Sequence, residues 1–192
     1  FESYFDCENC NGRFLSKNLW PSAQEEKRRY EEHNNNVDDE GYQNFVSPIV
    51  ESVLKNFSSS CKGLDFGAGT GPVISKLLGD AGFNIKQYDP FFCKDGSLLN
   101  KSYNYIVCCE VVEHFHNPSK EFKLLRKLLE PSGSLIIMTH LLDDSIDFSN
   151  WYYKNDPTHV FFYRAETMRW IQKNFAFEQV TIKGRVIKFD VH

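Results

Sequence analysis

The sequence has no apolar run of about 18 residues, the length that a membrane-spanning helix requires, and no signal peptide. The chain is therefore expected to be a soluble, cytoplasmic protein without a membrane partner. Basic runs are also missing, and 26 acidic against 22 basic residues give a formal net charge of −4. Because nucleic-acid affinity depends mainly on neutralising phosphates, this balance argues against a nucleic-acid partner.

Only one Cys-x-x-Cys pair occurs among the six cysteines. Cys7 and Cys10, followed by Gly12, resemble one knuckle of a zinc ribbon, which needs two such pairs to close a tetrahedral site. Residues 1–20 are therefore interpreted as a partial zinc-ribbon-like segment, whose two thiols are either half of a metal site or free. The chain begins at Phe1 and not at methionine, so the second pair is expected upstream. The remaining cysteines lie in or beside apolar segments and are expected to be buried thiols: Cys61, Cys93, Cys108 and Cys109.

A glycine loop lacks the last residue of the dinucleotide-binding pattern. Gly67, Gly69 and Gly71 follow a predicted buried strand and precede an apolar helix. Strand, loop and helix in this order bring backbone N–H groups close to a ligand. Counted from Gly67, the pattern G-x-G-x-x-G would end at residue 72, which is Pro72. Asp65 precedes the loop, so a carboxylate lies at its rim.

At these residues the sequence resembles the class I S-adenosylmethionine (SAM)-dependent methyltransferases. The resemblance implies SAM as the cofactor, with the loop around its amino-acid part and Asp65 near its ammonium group. SAM has no phosphate, so a loop with a carboxylate suits it better than a phosphate cradle. The alternative is a turn whose glycines only let the strand and helix pack closely. The cofactor-binding residues implied here are Asp65, Gly67, Ala68, Gly69 and Gly71.

An acid about 20 residues after such a loop is placed to bind both ribose hydroxyls, in SAM and NAD enzymes alike. Asp89 has this position, at the end of the second predicted strand. Pro90 and Phe91 follow it and offer apolar surface beside the expected adenine. An ordinary turn acid is the alternative. Glu110 and Val111, after the fourth predicted strand, complete the expected cofactor site.

The stretch after the fourth strand is most similar to the branch with the ubiquinone-biosynthesis O-methyltransferases. In that branch an acid ends the strand and a Glu-His pair follows beside the acceptor, which corresponds here to Glu110, Glu113 and His114. The catalytic candidates are therefore Glu113, His114 and His159, with a histidine as general base. The alternative is that each histidine only fastens a loop. No metal ion is required for this chemistry.

An aromatic stretch at residues 151–163 is expected to form a wall of the acceptor pocket, or alternatively to cover the core. A third match to the family is a long apolar helix, a Pro-x-Gly turn and an apolar strand around Pro131. The implied fold class is α/β, a three-layer sandwich with a Rossmann-like, seven-stranded, mainly parallel sheet and a C-terminal antiparallel hairpin. Its third strand is expected to be degenerate. Residues 21–192 would form the methyltransferase domain, whose first helices, separated by a polar break at 34–41, cover the cofactor.

The resulting hypothesis is a SAM-dependent methyltransferase that acts on oxygen or nitrogen of a small-molecule acceptor. One alternative is a non-catalytic SAM-binding module whose zinc knuckle docks a partner. A second is an NAD-dependent oxidoreductase, against which Pro72 and the terminal hairpin count. The oligomeric state is left open.

Overall fold

The computed structural model describes residues 3–32 and 36–192, so part of the predicted polar break at 34–41 lies outside the described residues. The strands are β1 (Tyr4–Asp6), β2 (Arg13–Leu15), β3 (Lys62–Phe66), β4 (Asn84–Tyr88), β5 (Tyr103–Cys109), β6 (Leu129–Met138), β7 (Phe161–Phe162), β8 (Gln179–Lys183) and β9 (Val186–Asp190). The α-helices are α1 (Ala23–Glu31), α2 (Glu40–Asn56), α3 (Val73–Asp80), α4 (Pro118–Lys127) and α5 (Ala165–Asn174).

The central sheet has the strand order β4-β3-β5-β6-β9-β8. The first four strands are parallel, and β9 pairs antiparallel with both β6 and β8. The predicted mainly parallel sheet with a terminal antiparallel hairpin is thereby confirmed. Since parallel strands end at the same edge, the loops after β3, β4, β5 and β6 meet there.

The prediction of seven strands is wrong by one. Between β4 and β5 the chain forms a short 3₁₀ helix at Gly96–Asn100 in place of a third strand, and β4 is the edge of the sheet. The Asp95 carboxylate accepts a hydrogen bond of 2.9 Å from Ser97 N at the start of this helix. Leu98 is buried in the core. This polar segment with a single buried apolar side chain can form a turn but cannot cover one face of a strand.

Helices cover both faces of the sheet. Along β5, Tyr105 and Val107 belong to an apolar cluster with α2 and α3, whereas Ile106 and Cys108 belong to one with α4 and α5. This alternation is the period of two that a strand imposes on its side chains. The three-layer arrangement is confirmed.

A second, three-stranded sheet was not predicted. The hairpin of β1 and β2 pairs antiparallel with β7, with Arg13 opposite Phe162 and Phe14 opposite Phe161. Tyr4 adds ring contacts with Phe162 at 5.9 Å between centroids. The expected zinc-ribbon-like segment is therefore joined to the aromatic stretch, although a domain boundary near residue 20 stays a prediction.

The expectation of buried cysteines is confirmed for Cys108 and wrong for Cys93, which is exposed. Cys93 lies in the turn after the edge strand β4, where it forms an isolated bridge with Asp89. Cys61 and Cys109 are partly buried. Within the described ranges, no helix is long and apolar enough to span a membrane.

The close approach of β3 and β5 leads to a first prediction. A Cβ on Gly63 would lie 2.2 Å from Cζ of the fully buried Tyr105 ring. Gly63→Ala is therefore expected to lower the free energy of unfolding by about 1–3 kcal/mol through overpacking, measured by urea denaturation. The control is Gly79→Ala in α3, where a Cβ meets no atom within 4 Å and a small gain is expected. Equal stability of Gly63→Ala and the unaltered protein would contradict the prediction.

Candidate active site

The glycine loop lies at the carboxyl ends of β3 and β4. Gly67 and Gly69 have φ values of 83° and 63°, a region that favours glycine. A Cβ on Gly67 would also lie 2.5 Å from Cγ2 of Val111. The backbone N–H groups of Gly67 and Ala68 donate to the Tyr88 carbonyl at 2.8 and 3.2 Å. The turn thus favours glycine at both positions, and the approach of the loop after β5 requires it at Gly67 as well.

Asp89 is held against this loop. Its Oδ2 accepts a hydrogen bond from Gly69 N at 3.0 Å, and its Oδ1 accepts from Phe91 N and Phe92 N at 2.8 and 3.1 Å. The side chain is buried, Phe91 is half-buried and Pro90 is exposed. The structure therefore brings together the glycine loop and the acid predicted to bind ribose, with the carboxylate oriented by three backbone donors.

Asp65 lies beneath the loop. It is buried, and its Oδ2 accepts a hydrogen bond of 2.8 Å from the Ser75 hydroxyl of α3. Burial raises the pKa of Asp65 to about 6. Gly71 is likewise buried at the start of α3. Asp65 thus connects the end of β3 to the first turn of α3.

Two glutamates meet around a tyrosine hydroxyl after β5. The Tyr153 hydroxyl donates to Glu113 and lies 3.1 Å from Glu110 Oε2. Glu113 also accepts a hydrogen bond of 3.0 Å from the Thr139 hydroxyl, and Glu110 pairs with Arg185 at 2.6 Å. Burial, followed by the charge of Glu113, raises the pKa of Glu110 to about 8. The predicted cofactor acid and the predicted catalytic acid therefore belong to one hydrogen-bonded network.

The two predicted catalytic histidines lie side by side, with ring centroids 4.8 Å apart. His114 Nδ1 is 2.9 Å from the Thr158 carbonyl, and His159 Nδ1 is 2.6 Å from the Tyr153 carbonyl. Burial lowers the pKa of His114 to about 4. His114 is therefore neutral at pH 7, but it is a weaker base than an unperturbed imidazole.

Helix α1 covers this group from the outside. The Tyr30 ring lies 5.3 Å from the His114 ring and 5.8 Å from the Phe91 ring, so it contacts both a predicted catalytic and a predicted cofactor-binding residue. Two contacts of 3.0 Å hold the helix in place, Arg29 with Asp156 and Glu26 with His116. That the first helices cover a bound cofactor stays a prediction.

The aromatic stretch at 151–163 divides between core and surface. Trp151 and Tyr153 are buried in an apolar cluster with Phe162, as expected if the stretch covers the core. Tyr152 is 62% exposed, and its hydroxyl bonds His140 Nδ1 at 3.0 Å. Beside it an open groove of about 750 Å³ is lined by Asp6, Asn11, His140, Leu141, Leu142, Asp143, Asp144, Arg164, Ala165, Glu166, Gly184 and Arg185.

Cys7 and Cys10 lie at the turn of the β1–β2 hairpin. The turn is closed by Cys7 N donating to the Gly12 carbonyl at 2.7 Å. Burial raises the pKa of the Cys10 thiol to about 11; at Cys7, backbone N–H donors from Cys10 and Asn9 outweigh burial and lower the pKa. Among the residues that the structure describes, no third potential ligand joins these two thiols in a metal-binding group.

Several site residues escaped the sequence argument. Tyr153 is one of several aromatic residues in the 151–163 stretch, and nothing in the sequence distinguishes it from the others. Thr139 comes directly after an apolar strand. Arg185 follows Gly184 at the tip of the terminal hairpin, and Tyr30 ends a charged helix. Each reaches the site through tertiary packing, so only the aromatic run gave a signal in the sequence.

Comparisons with known proteins agree with the fold. A family described as "Methyltransferase domain" matches residues 39–182. A search of curated proteins found no match. Among solved structures, magnesium protoporphyrin IX methyltransferase from Synechocystis PCC 6803 with bound SAH has a TM-score of 0.62 and 16% identity, covering 92% of this chain and 98% of that one.

Two further structures are similar over less of their own length. Human N-acetylserotonin methyltransferase in complex with SAM has a TM-score of 0.59 and 13% identity, covering 88% of this chain and 56% of that one. An O-methyltransferase family protein from Burkholderia thailandensis has a TM-score of 0.59 and 11% identity, covering 91% and 64%. The chain thus spans less than two thirds of these two proteins, and the similarity is one of fold.

The buried Asp65 predicts a pH dependence of stability. Its pKa is raised from 3.8 to about 6, so its ionisation costs stability as the pH rises from 4 through 6. Asp65→Asn removes this cost and should be more stable than the unaltered protein by up to about 3 kcal/mol at pH 8, with a smaller difference at pH 4. Urea denaturation at pH 4, 6 and 8 measures this, with Glu51→Gln on the exposed face of α2 as control. A difference in stability between Asp65→Asn and the unaltered protein that does not change with pH would refute the raised pKa of Asp65.

Proposed function

The chain belongs to the methyltransferase-domain family, and we propose that it is a methyltransferase that transfers the methyl group of SAM to oxygen or nitrogen of a small-molecule acceptor. The observation that carries the proposal is the Asp89 carboxylate, held 3.0 Å from Gly69 N where β3 and β4 end. The carboxyl edge of a parallel sheet is where α/β proteins bind their ligands. Two structures of similar fold were solved with SAM or SAH.

In the proposed donor site, Gly67, Ala68 and Gly69 surround the amino-acid part of SAM and Asp89 binds the ribose hydroxyls. Pro90 and Phe91 lie beside the adenine. Asp65, Gly71, Glu110 and Val111 support the loop and the methionine end of SAM. This assignment is supported by the contact of Gly67 with Val111, which joins the loops after β3 and β5.

The proposed acceptor site contains Glu113, His114 and His159, with Tyr30 above them. In the transfer the C–S bond of SAM breaks as the C–O or C–N bond forms, and the acceptor loses a proton. The protein's main contribution is to hold donor and acceptor in line, which is worth about 7–11 kcal/mol in well-oriented reactions. A nearby basic group takes the proton, and His114 is the candidate. The polar groove beside His140 and Arg185 fits an acceptor that carries polar groups.

Two finer assignments belong to the same proposal. The order Glu110, Glu113, His114 favours the branch with the ubiquinone-biosynthesis O-methyltransferases. The antiparallel β8–β9 hairpin counts against the NAD-dependent oxidoreductase. Non-catalytic SAM binding remains the competing function, and turnover on candidate acceptors after confirmed SAM binding distinguishes the two.

The ribose assignment is tested by Asp89→Ala. Loss of a charged hydrogen-bonding partner costs about 1.5–3 kcal/mol, so SAM affinity measured by calorimetry should fall roughly tenfold to a hundredfold. The control is Asp95→Ala, which also removes a carboxylate that accepts from a backbone N–H, but in the turn after β4. SAM binding that is equally tight in Asp89→Ala would show that Asp89 is only a turn residue.

We also propose that Cys7 and Cys10 bind structural zinc when two further ligands are supplied from outside the described residues. Backbone N–H groups directed at the Cys7 sulfur support a thiolate there. Cadmium titration of the chain should give a thiolate charge-transfer band in the ultraviolet that is absent in Cys7→Ser and in Cys10→Ser. Cys93→Ser, which removes an exposed thiol elsewhere, is the control. A band that persists in Cys7→Ser would exclude the pair.

A further inference from the structure

Three side chains from two loops converge beneath α1. Glu113 and His114 follow β5, and His159 precedes β7. One potential ligand atom from each lies within 4.8 Å of the other two, and both Glu113 and His159 are buried. We propose that Glu113, His114 and His159 bind one divalent transition-metal ion.

The hydrogen bonds of the two histidines select the ring atom that can act as a ligand. A carbonyl oxygen can only accept, so His114 Nδ1 donates to Thr158 at 2.9 Å and His159 Nδ1 donates to Tyr153 at 2.6 Å. In the neutral ring, Nε2 then carries the lone pair. Metal-binding histidines commonly have their second ring nitrogen fixed by a carbonyl in this way, which sets the tautomer and the ring orientation.

The carboxylate is fixed in the same manner. Glu113 accepts hydrogen bonds from the hydroxyls of Thr139, at 3.0 Å, and Tyr153. The two loops are also joined directly, because Val160 N donates to the Glu113 carbonyl at 2.9 Å. All three side chains are thereby held in position by groups that would form the surroundings of the ion.

Charge favours a cation here. Glu113 is fully buried, and Glu110 lies on the other side of the Tyr153 hydroxyl that both contact. Arg185 pairs with Glu110 at 2.6 Å, so the positive charge of the network is balanced by Glu110. A buried carboxylate beside a second acid is costly, and a bound dication offsets that cost.

The donor set indicates the class of ion. Two imidazole nitrogens and one carboxylate oxygen suit Mn²⁺, Co²⁺ and Zn²⁺, whereas Mg²⁺ and Ca²⁺ prefer oxygen ligands alone. Three protein ligands leave coordination positions open for an exchangeable ligand. If the proposed function holds, that ligand is the acceptor oxygen or nitrogen, whose pKa the ion lowers so that its proton can pass to solvent. With the ion bound, His114 acts as a ligand and not as the base, because its Nε2 lone pair is used in coordination and its Nδ1 donates to Thr158.

Manganese binding tests the site without an acceptor. Mn²⁺ is added to the 192-residue chain, and the loss of the free-ion signal is followed by electron paramagnetic resonance; Mn²⁺ has little affinity for the Cys7 and Cys10 thiols. We expect one ion per chain and affinity reduced roughly tenfold or more in His114→Ala and His159→Ala. The exposed His192→Ala should bind as the unaltered protein does.

A variant with a side chain of the same shape shows whether a loss of Mn²⁺ binding is caused by unfolding. Glu113→Gln keeps the side-chain volume and is expected to lose Mn²⁺ affinity and the rise in Tm that Mn²⁺ gives to the unaltered protein. Failure of the unaltered chain to bind millimolar Mn²⁺, or full binding by all three variants, would overturn the proposal and leave a cluster that only joins two loops. SAM binding by the unaltered chain is measured in parallel. If the chain binds Mn²⁺ but not SAM, the proposed function alone is refuted. If it binds SAM but not Mn²⁺, the metal site alone is refuted.

Discussion

The parallel alignment of β3, β4, β5 and β6 is the constraint on which the site depends. Because these strands run in one direction and in register, their carboxyl ends lie at one edge of the sheet. The chain must turn at that edge after each strand, and each turn contributes functional groups. The glycine loop follows β3, Asp89 follows β4, Glu110 follows β5 and Thr139 follows β6. Residues that are far apart in sequence become neighbours through this single feature.

Much of the fold follows from local patterns. The strand, glycine loop and helix at residues 62–80 could be predicted because a short buried strand, three glycines and apolar residues at helical spacing follow one another. The position of Asp89 at the loop followed from the length of one strand–helix–strand unit. The three-stranded sheet could not be predicted, since its pairing of β2 with β7 joins residues such as Arg13 and Phe162, and β7 has only two residues. No local pattern specifies so short and distant a pairing.

The candidate site divides in a similar way. The Glu113–His114 pair is contiguous and follows a strand, so its position at the sheet edge was predictable. The association of His159 with it depends on how the 151–163 stretch packs, which a 3₁₀ helix at Tyr152–Asn155 and a short strand determine. Tyr153 and Arg185 joined the network through tertiary contacts alone. The ring tautomers that favour ion binding depend on backbone carbonyls, and a sequence pattern carries no information on where those point.

The terminal strand β9 lies outside the segment that matches the family, yet it is part of the central sheet. The family match ends at residue 182, whereas β9 occupies Val186–Asp190 and lies between β6 and β8. Phe189 is fully buried, and Val191 N donates to the Gly133 carbonyl at 2.9 Å. A polypeptide cut at the match would leave the unpaired edge of β6 open to intermolecular strand addition. The segment that matches the family is thus shorter than the segment that must fold as one unit. A polypeptide limited to the matching segment is expected to aggregate.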